Sequence, residues 1–375
     1  MLDLARGLSA FAVFLGHLRS SLLVDYPEVQ DPTLVHRTLY FALGLGHEAV
    51  MVFFVMSGYL IGGAALAAIL TGRFSPGRYA LARLTRLYVV LVPALALTLL
   101  VDSVGQSWFP TAYQGSLLPL LNSGPAPEAH VDLTARTLFG NLLFLQTIAV
   151  PLYGSNKPLW SLANEFWYYA LFPVLCFGVV VAGRRELVRA ALPLAIGLAG
   201  LAWLPVEIVI GGLVWLMGVA VHALAPVPGV RRVVHHPVYR GSSFALFLGS
   251  LLAASLGWPI GHDLVVGLAF SLWLVSVCGV RLTAAWWDVP ARWSAEVSYT
   301  LYVVHFPLVF MAGVLLLSDG AGQQLPPTAA GLGVYLGYAS AVLAITVVLW
   351  ACFERHTQFV RNALARRLFR GSRTT

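Results

Sequence analysis

Apolar positions run along this chain in long blocks separated by short polar connections. The first twenty residues, MLDLARGLSAFAVFLGHLRS, set the pattern: Arg6 and His17 stand out from an apolar stretch, and Asp3 lies three positions before Arg6, close enough to pair with it. A helix turns ~100° and rises ~1.5 Å per residue, so Arg6 and His17 fall within about 20° of one face and roughly 16 Å apart along the axis. Further blocks follow at His47–Leu70, up to Val101, and near Leu159–Val181, Leu187–Leu204, Val206–Leu224, Phe244–Leu256, Leu264–Val280, Ser298–Leu317 and Gly331–Phe353. Read as helices, these blocks are candidate membrane spans. A β-barrel would show short alternating segments, which this sequence lacks.

The connections alternate in charge. Arg73, Arg78, Arg83 and Arg86 follow the second block; Arg184, Arg185 and Arg189 fall in one later connection, Arg231, Arg232 and Arg240 in another, Arg281 and Arg292 in a third. The turns around Pro205, Gly257–Asp263 and Ser318–Thr328 carry no Lys or Arg, and loop one holds Asp25, Glu28 and Asp31 against Arg37. Between Asp102 and Pro158 the chain is rich in Pro, Gly, Ser and Asn, and its apolar piece Leu138–Val150 is short for a span. Treating that piece as re-entrant or interfacial puts every basic connection on one side. The expected fold is therefore all-α: a polytopic membrane helix bundle of about ten transmembrane helices, both termini cytoplasmic. Residues 1–354 form the membrane domain and 355–375 a basic tail.

Composition sharpens this picture. The 375 residues are 59% hydrophobic and 10% charged, with a mean hydropathy of +0.80, far from the roughly 25% charge of soluble domains. The net charge of +7 comes mostly from the basic connections and tail, which argues against a nucleic-acid partner. Cys176, Cys278 and Cys352 lie apart in apolar runs, neither a disulfide framework nor a metal spacing, and read as core filler. The first block is no cleaved leader: it has an internal His and no small-residue cleavage site. No internal repeat is visible.

Four stretches carry candidate chemistry. An imidazole deep in a span, His17, is costly to insert and suits a general base, although a hydrogen-bonded structural role is also open. Arg83 and Arg86, one turn apart as the third block begins, could clamp phosphate oxygens; topology alone accounts for Arg73 and Arg78. In SNKPLWSLANEFWYYALFP, Glu165 lies inside a span with Ser161 one turn before and Tyr169 one turn after, facing a cavity, a partner or the interface. In VSYTLYVVHFPL, Ser298, Tyr302 and His305 share a face and Tyr299 begins the next, a row either structural or catalytic.

Together these stretches resemble the acyltransferase-3 membrane family, O-acyltransferases of bacterial surface glycans and some secondary metabolites. The marks are Arg6 and His17 in the first block, the FFVMSGYLI run from Phe53 to Ile61, Arg83 with Arg86, LWSLANEFWY with Trp160, Ser161 and Glu165, and SYTLYVVHFPL with His305. Five such marks occur in the family's order. Many members carry an acid just before the FFV run, where this chain has Met51; Glu48, three residues earlier, is the substitute. The glutamate of the LWSL stretch is often doubled, whereas Phe166 follows Glu165 here.

The resemblance implies a stand-alone bacterial inner-membrane enzyme that uses acyl-CoA, acetyl-CoA foremost, and no metal. Arg6, Arg83 and Arg86 would bind the CoA nucleotide. His17 would deprotonate an acceptor hydroxyl or carry the acyl group, with Glu165 and His305 orienting the acceptor or tuning His17. Glu48, Trp160, Ser161, Tyr299 and Tyr302 would line the acceptor site. The acceptor would be an extracytoplasmic or lipid-linked glycan, or a macrolide-type small molecule. A proton-coupled transporter or flippase, and a non-catalytic assembly partner of a glycan export system, are the rival readings.

Overall fold

A computed structural model describes residues 1–117, 131–257, 262–278, 285–318 and 323–369, without the side chains of 285–287. Arg281, Arg370, Arg373 and parts of the outer segment and turns discussed above lie outside the described residues. In chain order the helices are α1 (Leu2–Leu22), α2 (Leu34–Gly44), α3 (Gly46–Ser57), a π-turn (Gly58–Gly62), α4 (Gly63–Leu70), α5 (Pro76–Trp108), α6 (Ala135–Leu142), α7 (Leu159–Gly183), α8 (Leu187–Trp203) and α9 (Val206–Leu224). Then come α10 (Pro228–Val234), α11 (Pro237–Ser255), α12 (His262–Val277), α13 (Ala285–Leu316), α14 (Ala329–Cys352) and α15 (Thr357–Leu368). Among the described residues β-pairing is confined to two isolated bridges, Leu23 with Leu325 and Gln146 with Val150.

Residue types explain many of the boundaries. Thr33 opens α2 with a capping box: its hydroxyl accepts the His36 N–H while the His36 ring accepts the Thr33 N–H, both at 3.3 Å. Thr134 and Thr328 cap α6 and α14 in the same way through their hydroxyls. Pro228 and Pro237 start α10 and α11, where a missing N–H costs nothing. Gly72, at φ 69°, ends α4 in a conformation open to glycine.

Among the described residues, six helical segments are long and apolar enough to cross a membrane: Gly46–Leu70, Pro76–Trp108, Leu159–Gly183, Val206–Leu224, Asp288–Leu316 and Ala329–Leu368. Leu187–Trp203 and His262–Val277 are shorter apolar helices. α1 has 21 residues, but Asp3, Arg6, His17 and Arg19 lower its hydropathy. α6 has only 8 residues, about 12 Å of helix, too short to cross. Beyond it, Phe144 and Thr147 adopt φ of 57° and 65°, which turn the chain back. Helices also run past the apolar blocks. α13 begins at Ala285 rather than near Ser298, because Asp288, Arg292 and Glu296 break the hydropathy without breaking the helix.

The chain forms two compact units. Unit 1 comprises residues 1–9, 47–75 and 161–294. In it α3, the π-turn and α4 lie against α9, and α12 lies against α9 and α11. A Cβ on Gly58 would fall 1.8 Å from the Trp215 carbonyl oxygen, and one on Gly218 1.9 Å from that of Val55, so the two backbones touch where both residues are glycine. Trp215, 1% exposed, donates its indole N–H to Ser57 Oγ at 3.1 Å, and Ser57 is also bonded to the Tyr169 hydroxyl at 2.9 Å. The FFVMSGYLI run is thus the packing joint of this unit.

Unit 2 comprises residues 10–46, 76–160 and 295–375. Its core gathers on α13, where Phe306, Phe310 and Val314 pack with Ala112, Tyr113 and Val131. α1 joins α14 through the Tyr335 hydroxyl, which donates to Leu15 O at 2.9 Å, and joins the preceding turn through Leu325 N–H to Leu22 O at 2.8 Å. The basic tail is partly helical: α15 packs along α5, and Arg78 sits over the Phe369 ring at 6.0 Å. Cys176 and Cys278 are partly buried, whereas Cys352 is exposed, so core filling describes the first two alone.

Candidate active site

Two histidines meet in unit 2. His17, on the fifth turn of α1, and His305, in the middle of α13, approach edge to face with ring centroids 5.3 Å apart. Phe306 lies 5.0 Å from the His17 ring, and Phe14 lies 6.0 Å from that of His305. His305 is fully buried. Its Nδ1 lies 2.9 Å from the Leu301 carbonyl oxygen, one turn back. A carbonyl oxygen only accepts, so Nδ1 carries the proton and Nε2 keeps its lone pair. Nε2 of His305 and Nδ1 of His17 are both buried without a hydrogen-bond partner among the described residues. Buried polar atoms are normally satisfied, so an idle nitrogen on each of two adjoining rings fits an interaction with a bound molecule.

The 143–158 connection is locked beside α13 by polar side chains that the apolar pattern does not reveal. Asn156, fully buried, donates through Nδ2 to Val303 O at 2.9 Å and to Thr98 Oγ1 at 3.1 Å. Val303 is on the turn of α13 that carries His305. Asn156 Oδ1 has no partner among the described residues. Asp102, also fully buried, accepts the Ser155 N–H at 2.6 Å and the Ser155 hydroxyl at 2.8 Å. Gly154 permits this fit: its φ is +60°, and a Cβ there would stand 2.2 Å from Asp102 Oδ2. Asn141 holds the same connection through Pro151 O at 2.9 Å and the Tyr153 N–H at 3.1 Å.

Lys157 follows Asn156. Its charge is among those acting on His17, and burial lowers its pKa from the usual lysine value. No carboxylate within ion-pair distance holds it among the described residues. In the SNKPLW stretch, Asn156 and Lys157 look like ordinary polar residues of a connection. The signal was there: Asn and Lys side by side just ahead of an apolar block.

Arg83 and Arg86 of α5 differ. Arg86 pairs with Glu354 at 2.6 Å and sits over the Tyr299 ring at 4.9 Å. Glu354, 4% exposed, also accepts the Thr300 N–H at 3.0 Å and the Thr300 hydroxyl. Glu354 was missed at the edge of the last apolar block, where one acid at a helix end reads as an ordinary boundary. Arg83 has a buried Nε with no partner among the described residues. Tyr302 adjoins His305, with ring centroids 6.2 Å apart, and the Tyr299 hydroxyl donates weakly to Leu87 O at 3.4 Å.

The remaining predicted residues fall elsewhere. Trp160, partly buried, belongs to unit 2. Arg6, Glu48, Ser161 and Glu165 belong to unit 1. Ser161 and Glu48 are buried, and Glu48 Oε2 has no hydrogen-bond partner among the described residues. Glu165 is partly buried on α7, one turn before Tyr169. Arg6 and His17 lie on one uninterrupted helix, as their spacing predicts.

Comparison with known proteins bears on these residues. The acyltransferase-3 family, described as an acyltransferase domain, matches residues 1–351. Among curated proteins, BcsY of Komagataeibacter xylinus, provisionally described as a membrane-bound transacylase, is 24% identical over 319 residues, covering 83% of this chain and 76% of its own. No solved structure matches the chain. With the match running from α1 through α14, and several apolar helices long enough to cross a bilayer, this multi-pass membrane protein belongs to the acyltransferase-3 family.

Proposed function

We propose that this acyltransferase moves an acyl group, acetyl foremost, from acyl-CoA to a hydroxyl of an extracytoplasmic or lipid-linked glycan in the bacterial inner membrane. The observation that carries this reading is the pair of adjoining imidazoles, each with a buried, idle nitrogen. His17 takes the proton from the acceptor hydroxyl as its oxygen attacks the thioester carbonyl. The C–S bond breaks, and the departing CoA thiolate recovers that proton from His17. His305, with its lone pair held at Nε2, accepts a hydrogen bond from a neighbouring hydroxyl of the acceptor and so aligns the attacking one. Lys157, desolvated and without a carboxylate partner, supplies positive charge where the carbonyl oxygen becomes an oxyanion.

The donor side rests on reach and charge. A pantetheine arm of ~15–20 Å matches the ~16 Å rise between Arg6 and His17 on α1. Arg83 is the α5 arginine with spare donor capacity for a CoA phosphate, since Arg86 is engaged by Glu354. The arginine-rich start of α5 favours the cytoplasmic side.

The test uses purified protein in lipid nanodiscs with acetyl-CoA and a surface glycan fraction as acceptor. Free thiol should appear only when both substrates are present, with acyl mass gained on the glycan. Thiol-independent passage of glycan across proteoliposomes, without acyl-CoA binding, would favour a transporter and overturn the reading.

A further inference from the structure

Outside the histidine pair, unit 1 gathers a second set of titratable groups from opposite ends of the sequence. His47, second residue of α3, and His262 with Asp263, the first two of α12, converge on one carboxylate oxygen. His47 Nε2 lies 2.7 Å and His262 Nε2 3.1 Å from Asp263 Oδ1, and the two rings are 5.3 Å apart. All three donor atoms lie within 4.8 Å of one another. We propose that His47, His262 and Asp263 form a zinc-binding site that ties the start of α3 to the start of α12.

The chemistry fits a borderline divalent ion. Two imidazole nitrogens and one carboxylate oxygen are a common three-ligand set for zinc, with bond lengths of about 2.0–2.2 Å. Ligand atoms around such an ion stand roughly 3.3 Å apart, by the tetrahedral geometry and those bond lengths. The observed 2.7 and 3.1 Å contacts therefore need to open by only a few tenths of an ångström. The side chains are partly exposed, at 48% for His47, 38% for His262 and 31% for Asp263, which leaves a fourth position for water.

Charge agrees as well. The N-terminal ends of two helices oppose a cation on their own. Asp263 offsets them, and so does Glu48, next to His47 in sequence, whose carboxylate is buried with one oxygen unpartnered. Glu48 acts electrostatically on His47. Two carboxylates together balance one dication. Neither histidine belongs to the transfer chemistry proposed above, so the ion would clip two helices rather than activate substrate.

The experiment takes untagged full-length protein in detergent, strips it with EDTA, dialyses it against zinc chloride, and measures bound metal by mass spectrometry. One zinc per chain is expected, together with a rise in melting temperature. Cobalt in place of zinc should give visible d–d absorption of low coordination. His262→Ala and Asp263→Asn should each weaken zinc binding at least tenfold and cancel the thermal shift. The double variant His235→Ala/His236→Ala, a control for loose surface binding, should retain both. Unchanged zinc binding in His262→Ala and Asp263→Asn, its loss in the control, or no stoichiometric zinc in the wild type would each overturn the site.

Discussion

The histidines on α1 and α13 and the arginines on α5 are both pairs of polar side chains in apolar surroundings, yet unit 2 treats them in opposite ways. His17 and His305 each keep a buried nitrogen without a hydrogen-bond partner among the described residues. Arg86 is tied on two sides, by Glu354 and the Tyr299 ring, and Glu354 is held in turn by Thr300. Arg83, one turn earlier, retains an idle donor. A polar group left unsatisfied inside a fold carries a standing cost that a bound molecule can remove, whereas a satisfied one already acts in the fold. On the proposed function, the contrast would divide residues that meet substrate from residues that hold the fold, even one helical turn apart.

The largest effect that would sharpen this contrast is at His17. His17→Ala should lower turnover about a thousandfold, in line with the usual weight of a general base, with membrane abundance and melting temperature near wild type. Residual activity above a tenth of wild type would remove His17 from the chemistry.

Arg86 should behave in the reverse manner. Arg86→Ala strands a carboxylate that is 4% exposed and should cost roughly 2 kcal/mol of stability, below the full value for breaking a buried pair because the guanidinium reaches solvent. A thermal melt in detergent checks this. Adding Glu354→Gln to that variant should recover part of the loss, and acyl-CoA affinity should barely change. An affinity loss with normal stability would place Arg86 with the phosphate ligands instead.

For Arg83 the expected outcome is an acyl-CoA affinity about tenfold weaker in Arg83→Ala, the scale of one charge-assisted hydrogen bond. Isothermal titration would read it, against an unaltered melt.

The smallest effect is at Lys157. Lys157→Met should lower kcat severalfold and leave KM nearly unchanged. Because burial lowers its pKa, Lys157 loses its charge at a lower pH than a free lysine does. Activity should then decline on the alkaline side, and Lys157→Arg, charged throughout, should extend the active range upward. An identical alkaline limb in both proteins would remove Lys157 from the oxyanion.

Much of the fold was legible because long apolar blocks and their caps are local signals. The blocks at Leu159–Val181 and Val206–Leu224 coincide with α7 and α9 to within two residues. Each histidine stood out singly, His17 as an imidazole deep in an apolar stretch and His305 in a row of aromatic and hydroxyl side chains, but their meeting is seen only in the fold. What could not be read were pairings across long sequence separations. Glu354 with Arg86, Asn156 with Val303 and His47 with Asp263 each join residues far apart along the chain. Their partners become visible only when the chain is folded, since each residue alone has an ordinary place at a helix end or in a loop.

The π-turn at Gly58–Gly62 has a consequence for how this chain tolerates change in length. A wide turn of this kind holds one residue more than the α-helix on either side of it. Deleting a single residue there would let α3 run into α4 as regular α-helix with the later side chains close to their present faces, whereas deleting one from the α-helical flanks would swing every later side chain of that segment by about a quarter of a revolution. Gly63, now seated against the His222 ring, would then be carried off its neighbour. The π-turn is therefore where this segment can lose one residue with the least rotation, while the glycines Gly58, Gly62 and Gly63, each pressed against α9, constrain the identity of the residues there.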